Sequence, residues 1–90
     1  MRTIKDSERD RRNADLKRNV VDAFKLAKGC IDCGYKENAA ALEFDHLPGF
    51  RKNATVASLM YRSLKVIVEE IKKCEVVCAN CHAIRTYNRR

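Results

Sequence analysis

Two Cys-x-x-Cys pairs, Cys30-Ile31-Asp32-Cys33 and Cys78-Ala79-Asn80-Cys81, stand 44 residues apart in a chain of 90. A chain this short buries only about 60% of the surface its unfolded form exposes, so its apolar core alone is marginal and a cross-link between distant segments is worth more than any single packed side chain. Four thiols in two close pairs are the donor set of a closed tetrahedral zinc site, and Gly34 directly after Cys33 suits the tight turn by which two sulfurs point at one ion. A redox-active Cys-x-x-Cys calls for a thioredoxin-like βαβ context, which the sequence does not offer. Disulfides belong to oxidising compartments. Here no apolar run follows Met1, the first residues are dominated by charge (MRTIKDSERDRRNADLKRN), and nothing approaches the roughly 18 consecutive apolar residues of a membrane span. The expectation is a cytoplasmic protein with no membrane partner, reduced thiols and a structural zinc on Cys30, Cys33, Cys78 and Cys81. The fifth cysteine, Cys74, either packs at a helix end or replaces one of the four.

The chain carries 19 Lys and Arg against 12 Asp and Glu, a net charge of +7. Four zinc-bound thiolates would lower this to about +5, still a surplus suited to a polyanion. The surplus lies at the ends: residues 1–28 hold nine basic and five acidic side chains, Arg85, Arg89 and Arg90 are uncompensated, and the middle balances.

One domain is expected, 1–90, with residues 1–28 a basic helical extension and 30–87 the zinc-bound core. Ser7 and Asp10 form a capping-box pattern, and Leu16, Val20, Ala23, Phe24 and Ala27 recur at helical steps to give one apolar stripe that ends at Gly29. Arg11, Arg18 and Lys25 lie seven apart on a neighbouring face. They either track a phosphate backbone or, as Arg11–Asp15 and Arg18–Asp22 pairs, make an ordinary solvated face. Ala41–His46 (ALEFDH) reads as a strand ending at a Pro48-Gly49 turn, with Asp45 and His46 at its tip. A loop carrying Arg51 and Lys52 follows, then a short helix from Thr55 through Tyr61. A second helix is capped by Ser63, with Leu64, Ile67 and Ile71 on one face and a Glu69–Lys73 pair. Glu75–Val77 reads as a strand, and Cys78 opens a final helix on which His82, Arg85 and Arg89 share a face. Asn80 stands inside this cysteine pair, where it also suits a helix cap.

The run CIDCG, LEFDH and KCEVVCANCH resembles the HNH endonuclease family in its zinc-ribbon form, common among phage and prokaryotic nucleases, over about residues 30–87. The resemblance implies an α+β fold with a ββα-metal, treble-clef-like core and flanking helices. It implies hydrolysis of DNA phosphodiesters, with Asp45 and His82 holding one divalent ion (magnesium, manganese, nickel or zinc) and His46 acting as general base. The residue types suit that chemistry, since in-line attack by water needs a base of near-neutral pKa and a cation to steady the phosphate and the leaving oxygen. The chain departs from the family in two places. The middle asparagine belongs in the hairpin, where Lys73 stands here, which leaves Asn80 as its substitute, and a third metal ligand found in some members falls at Thr86. Arg85 and Arg89, with Arg51 and Lys52 opposite and Arg11 and Arg18 on the first helix, are the expected phosphate contacts. The alternative is a zinc-stabilised nucleic-acid-binding module without catalysis. Monomer and homodimer both suit the sequence. A phage terminase is a further expected partner, tested by whether its addition changes cleavage.

Overall fold

The computed structural model describes residues 4–49 and 55–90. It is a small α+β domain of three helices and a two-stranded antiparallel sheet, in the order α1 (Ile4–Lys28), β1 (Leu42–His46), α2 (Leu64–Ile71), β2 (Cys74–Cys78) and α3 (Ala79–Asn88). Among the described residues, no helix is long and apolar enough to cross a membrane.

α1 places Lys25 and Lys28 in its last turn, where their charge opposes the negative end of the helix dipole. It stops at Gly29, whose φ of 67° lies in the left-handed region; an added Cβ would also meet the Lys36 side chain at 3.0 Å. Ser7 lies inside this helix, so the expected capping box is not its start. A knuckle follows, closed by the Gly34 amide on the Cys30 carbonyl (2.7 Å) and the Cys30 amide on the Tyr35 carbonyl (2.8 Å). It is tied to the sheet by Ile31 N–H donating to the Val76 carbonyl at 2.9 Å.

The strands pair in one register, from Leu42 opposite Cys78 to His46 opposite Cys74. The expected strand at Glu75–Val77 is therefore longer by a residue at each end. Two apolar clusters meet at Phe44. One joins Val21 of α1 to Val56, Leu59, Ile67 and Ile71. The other joins Cys30 and Leu42 to Val76, Val77 and Cys78. Leu42, Ile67 and Val77 are the largest fully buried side chains.

Several local expectations give way to tertiary ones. The stripe read along α1 is not its packed face: Leu16 is 60% exposed and Val20 43%, while Val21 is buried at 6%. Phe24 sits at the margin, with its ring centroid 6.4 Å from that of Phe44, and the Lys25 ammonium lies 5.5 Å from the Phe44 centroid. Arg18 pairs with Asp15 at 3.5 Å, in place of the expected Arg18–Asp22 and Arg11–Asp15 pairs. The helix expected from Thr55 to Tyr61 is one 3-10 turn, Ala57–Leu59; Thr55 Oγ1 still accepts from the Ser58 amide at 3.2 Å. On α2, Leu64 is partly exposed and Ser63 makes no side-chain cap bond. The pairing there is Lys72 with Glu69 (3.4 Å) and Lys73 with Glu70 (3.0 Å), since Glu70 turns inward and draws Lys73 from Glu69.

Truncating Ile67 to alanine should cost about 2–5 kcal/mol, whereas Leu16→Lys should change stability by no more than about 0.5 kcal/mol, both read as urea midpoints. A large loss from Leu16→Lys would mean that the stripe is covered after all.

Candidate metal centre and acid-base cleft

The four sulfurs of Cys30, Cys33, Cys78 and Cys81 lie within 4.8 Å of one another, and the cluster can hold a zinc ion. The Ile31–Val76 bond sets the knuckle against β2, and β2 runs directly into α3, so both pairs arrive at one point. Cys78 caps α3, its Sγ accepting from the Cys81 amide at 3.4 Å, so the capping role considered for Asn80 belongs to Cys78. Cys33 and Cys78 sulfurs are 3.7 Å apart. Burial works against ionising Cys30, but the backbone amides of Cys78, Cys33 and Asp32 outweigh it and bring its thiol down to about 6. Cys81 is pushed up, first by its hydrogen bond with Cys78 and then by burial. A thiolate at Cys30 is a ready first ligand for a soft cation. Cys74 stands apart from the cluster at the start of β2, donating from Sγ to the Glu70 carbonyl at 3.5 Å.

Asp45, His46 and His82 line one cleft of about 320 Å³ together with Phe44, Thr55, Val56 and Arg89. Alternation along β1 sends Glu43 and Asp45 to the α3 side and Phe44 and His46 to the α2 side, so the adjacent Asp45 and His46 have different partners. Asp45 is only 4% exposed. Arg89 grips both its oxygens at 2.9 Å, and Arg85 Nη1 donates to Oδ2 at 2.8 Å. The Arg89 bond, ahead of that from Arg85, holds the Asp45 carboxyl down to about 2 against the opposing effect of burial. His82 Nδ1 bonds Glu43 Oε1 at 2.6 Å, and its Nε2 lies 3.7 Å from Asp45 Oδ1. His46 Nε2 bonds Glu70 Oε2 at 2.7 Å.

The expected site residues are thus partly assembled. Asp45, His46 and His82 come together. Asn80 is exposed on the first turn of α3 and does not line their cleft. Thr86 lies with His82 and Glu43 in a neighbouring depression. Arg85 and Arg89 turn toward Asp45; Arg85 also donates a pair of hydrogen bonds to Asp32 (2.7 Å to each oxygen) and reaches Glu75 at 3.1 Å. Arg11 and Arg18 are exposed on α1. Arg51 and Lys52 fall outside the described residues. Sequence reasoning missed Glu43 and Glu70, and for Glu70 a signal existed: it falls between Ile67 and Ile71 on the buried face of α2, where a carboxylate has no reason to be unless it is paired.

Comparison with protein-family models, with curated proteins and with solved structures finds no match for this chain.

Purified protein should carry one zinc per chain. Cys78→Ser, which removes both a ligand and the α3 cap, should abolish zinc binding and cooperative unfolding together, as zinc analysis and thermal melts would show. A variant that melts like the parent would refute a clamping role for the cluster.

Proposed function

We propose that the chain is an HNH-type, metal-dependent endonuclease whose knuckle, β-hairpin and α3 form a treble-clef-like ββα-metal core. The observation that carries this reading is the convergence of Asp45 and both histidines on one cleft. His82 gives one ring nitrogen to Glu43 and presents the other toward Asp45, the arrangement that orients a ligating histidine. Two donors each about 2.0–2.2 Å from a shared ion can span the observed separation of 3.7 Å. A divalent ion on Asp45 and His82 would supply positive charge to a non-bridging phosphate oxygen and to the departing 3′ oxygen. The chain's own residues do the rest. His46 takes a proton from a water that attacks phosphorus in line, a P–O bond forms, and the P–O3′ bond breaks. The products are a 5′-phosphate and a 3′-hydroxyl, the latter drawing its proton from solvent.

DNA is the proposed partner, through the basic ends of the chain. Arg89, about half exposed, sits beside the cleft and is the better phosphate contact of the two arginines on α3; Arg85 is committed to Asp32, Asp45 and Glu75. The same arginines favour the second reading, a binding module without catalysis, because their guanidinium groups already neutralise the Asp45 carboxylate.

Supercoiled plasmid incubated separately with magnesium, manganese, nickel or zinc should be nicked or linearised by the parent and not by His46→Ala at matched folding and DNA affinity. Binding without cutting under every metal would leave the binding module standing. Arg89→Ala should tighten manganese binding at Asp45 and His82, because it removes the cation that competes for the carboxylate; a titration showing unchanged or weaker affinity would argue against a metal at that position.

A further inference from the structure

Among the described residues, the buried charged side chains are Asp45 and Glu70. Asp45 belongs to the cleft already described, whereas Glu70 lies on α2 and enters neither the cysteine cluster nor the ligand pair. Resting on the nuclease reading, we propose that Glu70 is the positioning residue for His46, fixing the imidazole in the tautomer that carries its proton on Nε2 and its lone pair on Nδ1.

Glu70 is 3% exposed, and a carboxylate that deep in a protein persists as an anion only when cations or hydrogen-bond donors compensate it. Lys73 Nζ lies 3.0 Å from Oε1, and His46 Nε2 lies 2.7 Å from Oε2. An ionised carboxylate has no proton to give, so the proton in the short His46 contact belongs to the ring. With Nε2 so occupied, the nitrogen left to accept a proton from water is Nδ1.

The frame around the pair is stiff. His46 ends β1 directly opposite Cys74, and the next amide, Leu47 N–H, donates to the Lys73 carbonyl at 2.8 Å. Cys74 Sγ in turn donates to the Glu70 carbonyl at 3.5 Å. Two links therefore tie the end of β1 to the start of β2 and the turn before it, a third ties that start back to the last turn of α2, and the Glu70 carboxylate is delivered to His46 by two regular elements and not by a loop. The Lys73 ammonium reaches the same carboxylate from just past the end of α2, so Glu70 is itself held while it holds His46.

The test uses the zinc-loaded protein labelled with nitrogen-15 in histidine. Two histidines give four ring nitrogens, and long-range proton–nitrogen correlation separates protonated from bare nitrogens at a pH where the rings are neutral. The parent should show protonated Nε2 and bare Nδ1 on His46. Glu70→Gln, whose amide oxygen can accept the same bond, should keep that tautomer and much of the cleavage rate. Glu70→Leu should mix the tautomers and lower kcat for plasmid cleavage by roughly 10²-fold with little change in KM, in line with the cost of a mis-set catalytic histidine. Zinc content and melting midpoints identify variants that fail to fold, and the parent and Glu70→Gln decide the matter if Glu70→Leu does not. Protonated Nδ1 in the parent, or an unchanged tautomer in folded Glu70→Leu, would overturn the proposal. A parent that never cuts would sink the nuclease reading by itself, because the tautomer measurement reports the hold of Glu70 on His46 without turnover.

Discussion

The register of the β1–β2 ladder is the constraint on which the rest of the molecule depends. With Leu42 opposite Cys78 and His46 opposite Cys74, side chains alternate so that Asp45 meets α3 while His46 meets α2. A slip of one residue would exchange those faces, taking Leu42 out of its cluster and both buried carboxylates away from their partners. Two features hold the register. Leu42, Val76 and Val77 are buried in one cluster, and the Ile31 amide bond to Val76 docks the cysteine knuckle at one level of β2. A cation shared by the four sulfurs would lock that level, since Cys78 is at once the last residue of β2, a member of the cluster and the cap of α3.

Charge organises what the ladder positions. Each acidic side chain near the cleft is matched individually: Asp45 by Arg85 and Arg89, Asp32 and Glu75 by Arg85, Glu70 by Lys73 and His46, Glu43 by His82. Arg85 is the connector, because it joins a residue lying between two cluster cysteines to the carboxylate at the base of the cleft. The cysteine cluster and the acid-base cleft are therefore mechanically linked, and disturbing the knuckle would alter how Asp45 is presented. The net basic charge of the chain does not predict this, since its arginines are partly spent inside the protein.

The sequence made the elements legible to different degrees. Strand β1 is legible in its short apolar-rich run and its Pro-Gly boundary, and α3 in the cysteine pair that opens it, because both signals are local. The buried face of α1 was misread for a physical reason. Its most regular apolar stripe, Leu16, Val20 and Ala23, is not the side that docks; contact falls on Val21, with the Lys25 ammonium over the Phe44 ring. A lysine ammonium is drawn to the face of an aromatic ring, so a charged position can lie on the packed side where hydrophobic periodicity does not register it. The ion pairs of α2 moved by one position for a related reason: Glu70 is held inside by His46, a partner 24 residues away that no helical spacing rule includes.

By itself, the sequence determined the α+β class, the four cysteines that meet, and the pair Asp45-His46 at a strand end, since each is encoded in residues close together or in donor chemistry with few alternatives. Only the tertiary structure decided which face of α1 packs, that Arg85 and Arg89 turn inward to Asp45, that Asn80 stands away from the cleft, and that Glu43 and Glu70 back the two histidines. Those outcomes depend on side chains from elements far apart in the chain, and they are settled where burial leaves a charge no alternative to the partner that the fold brings to it.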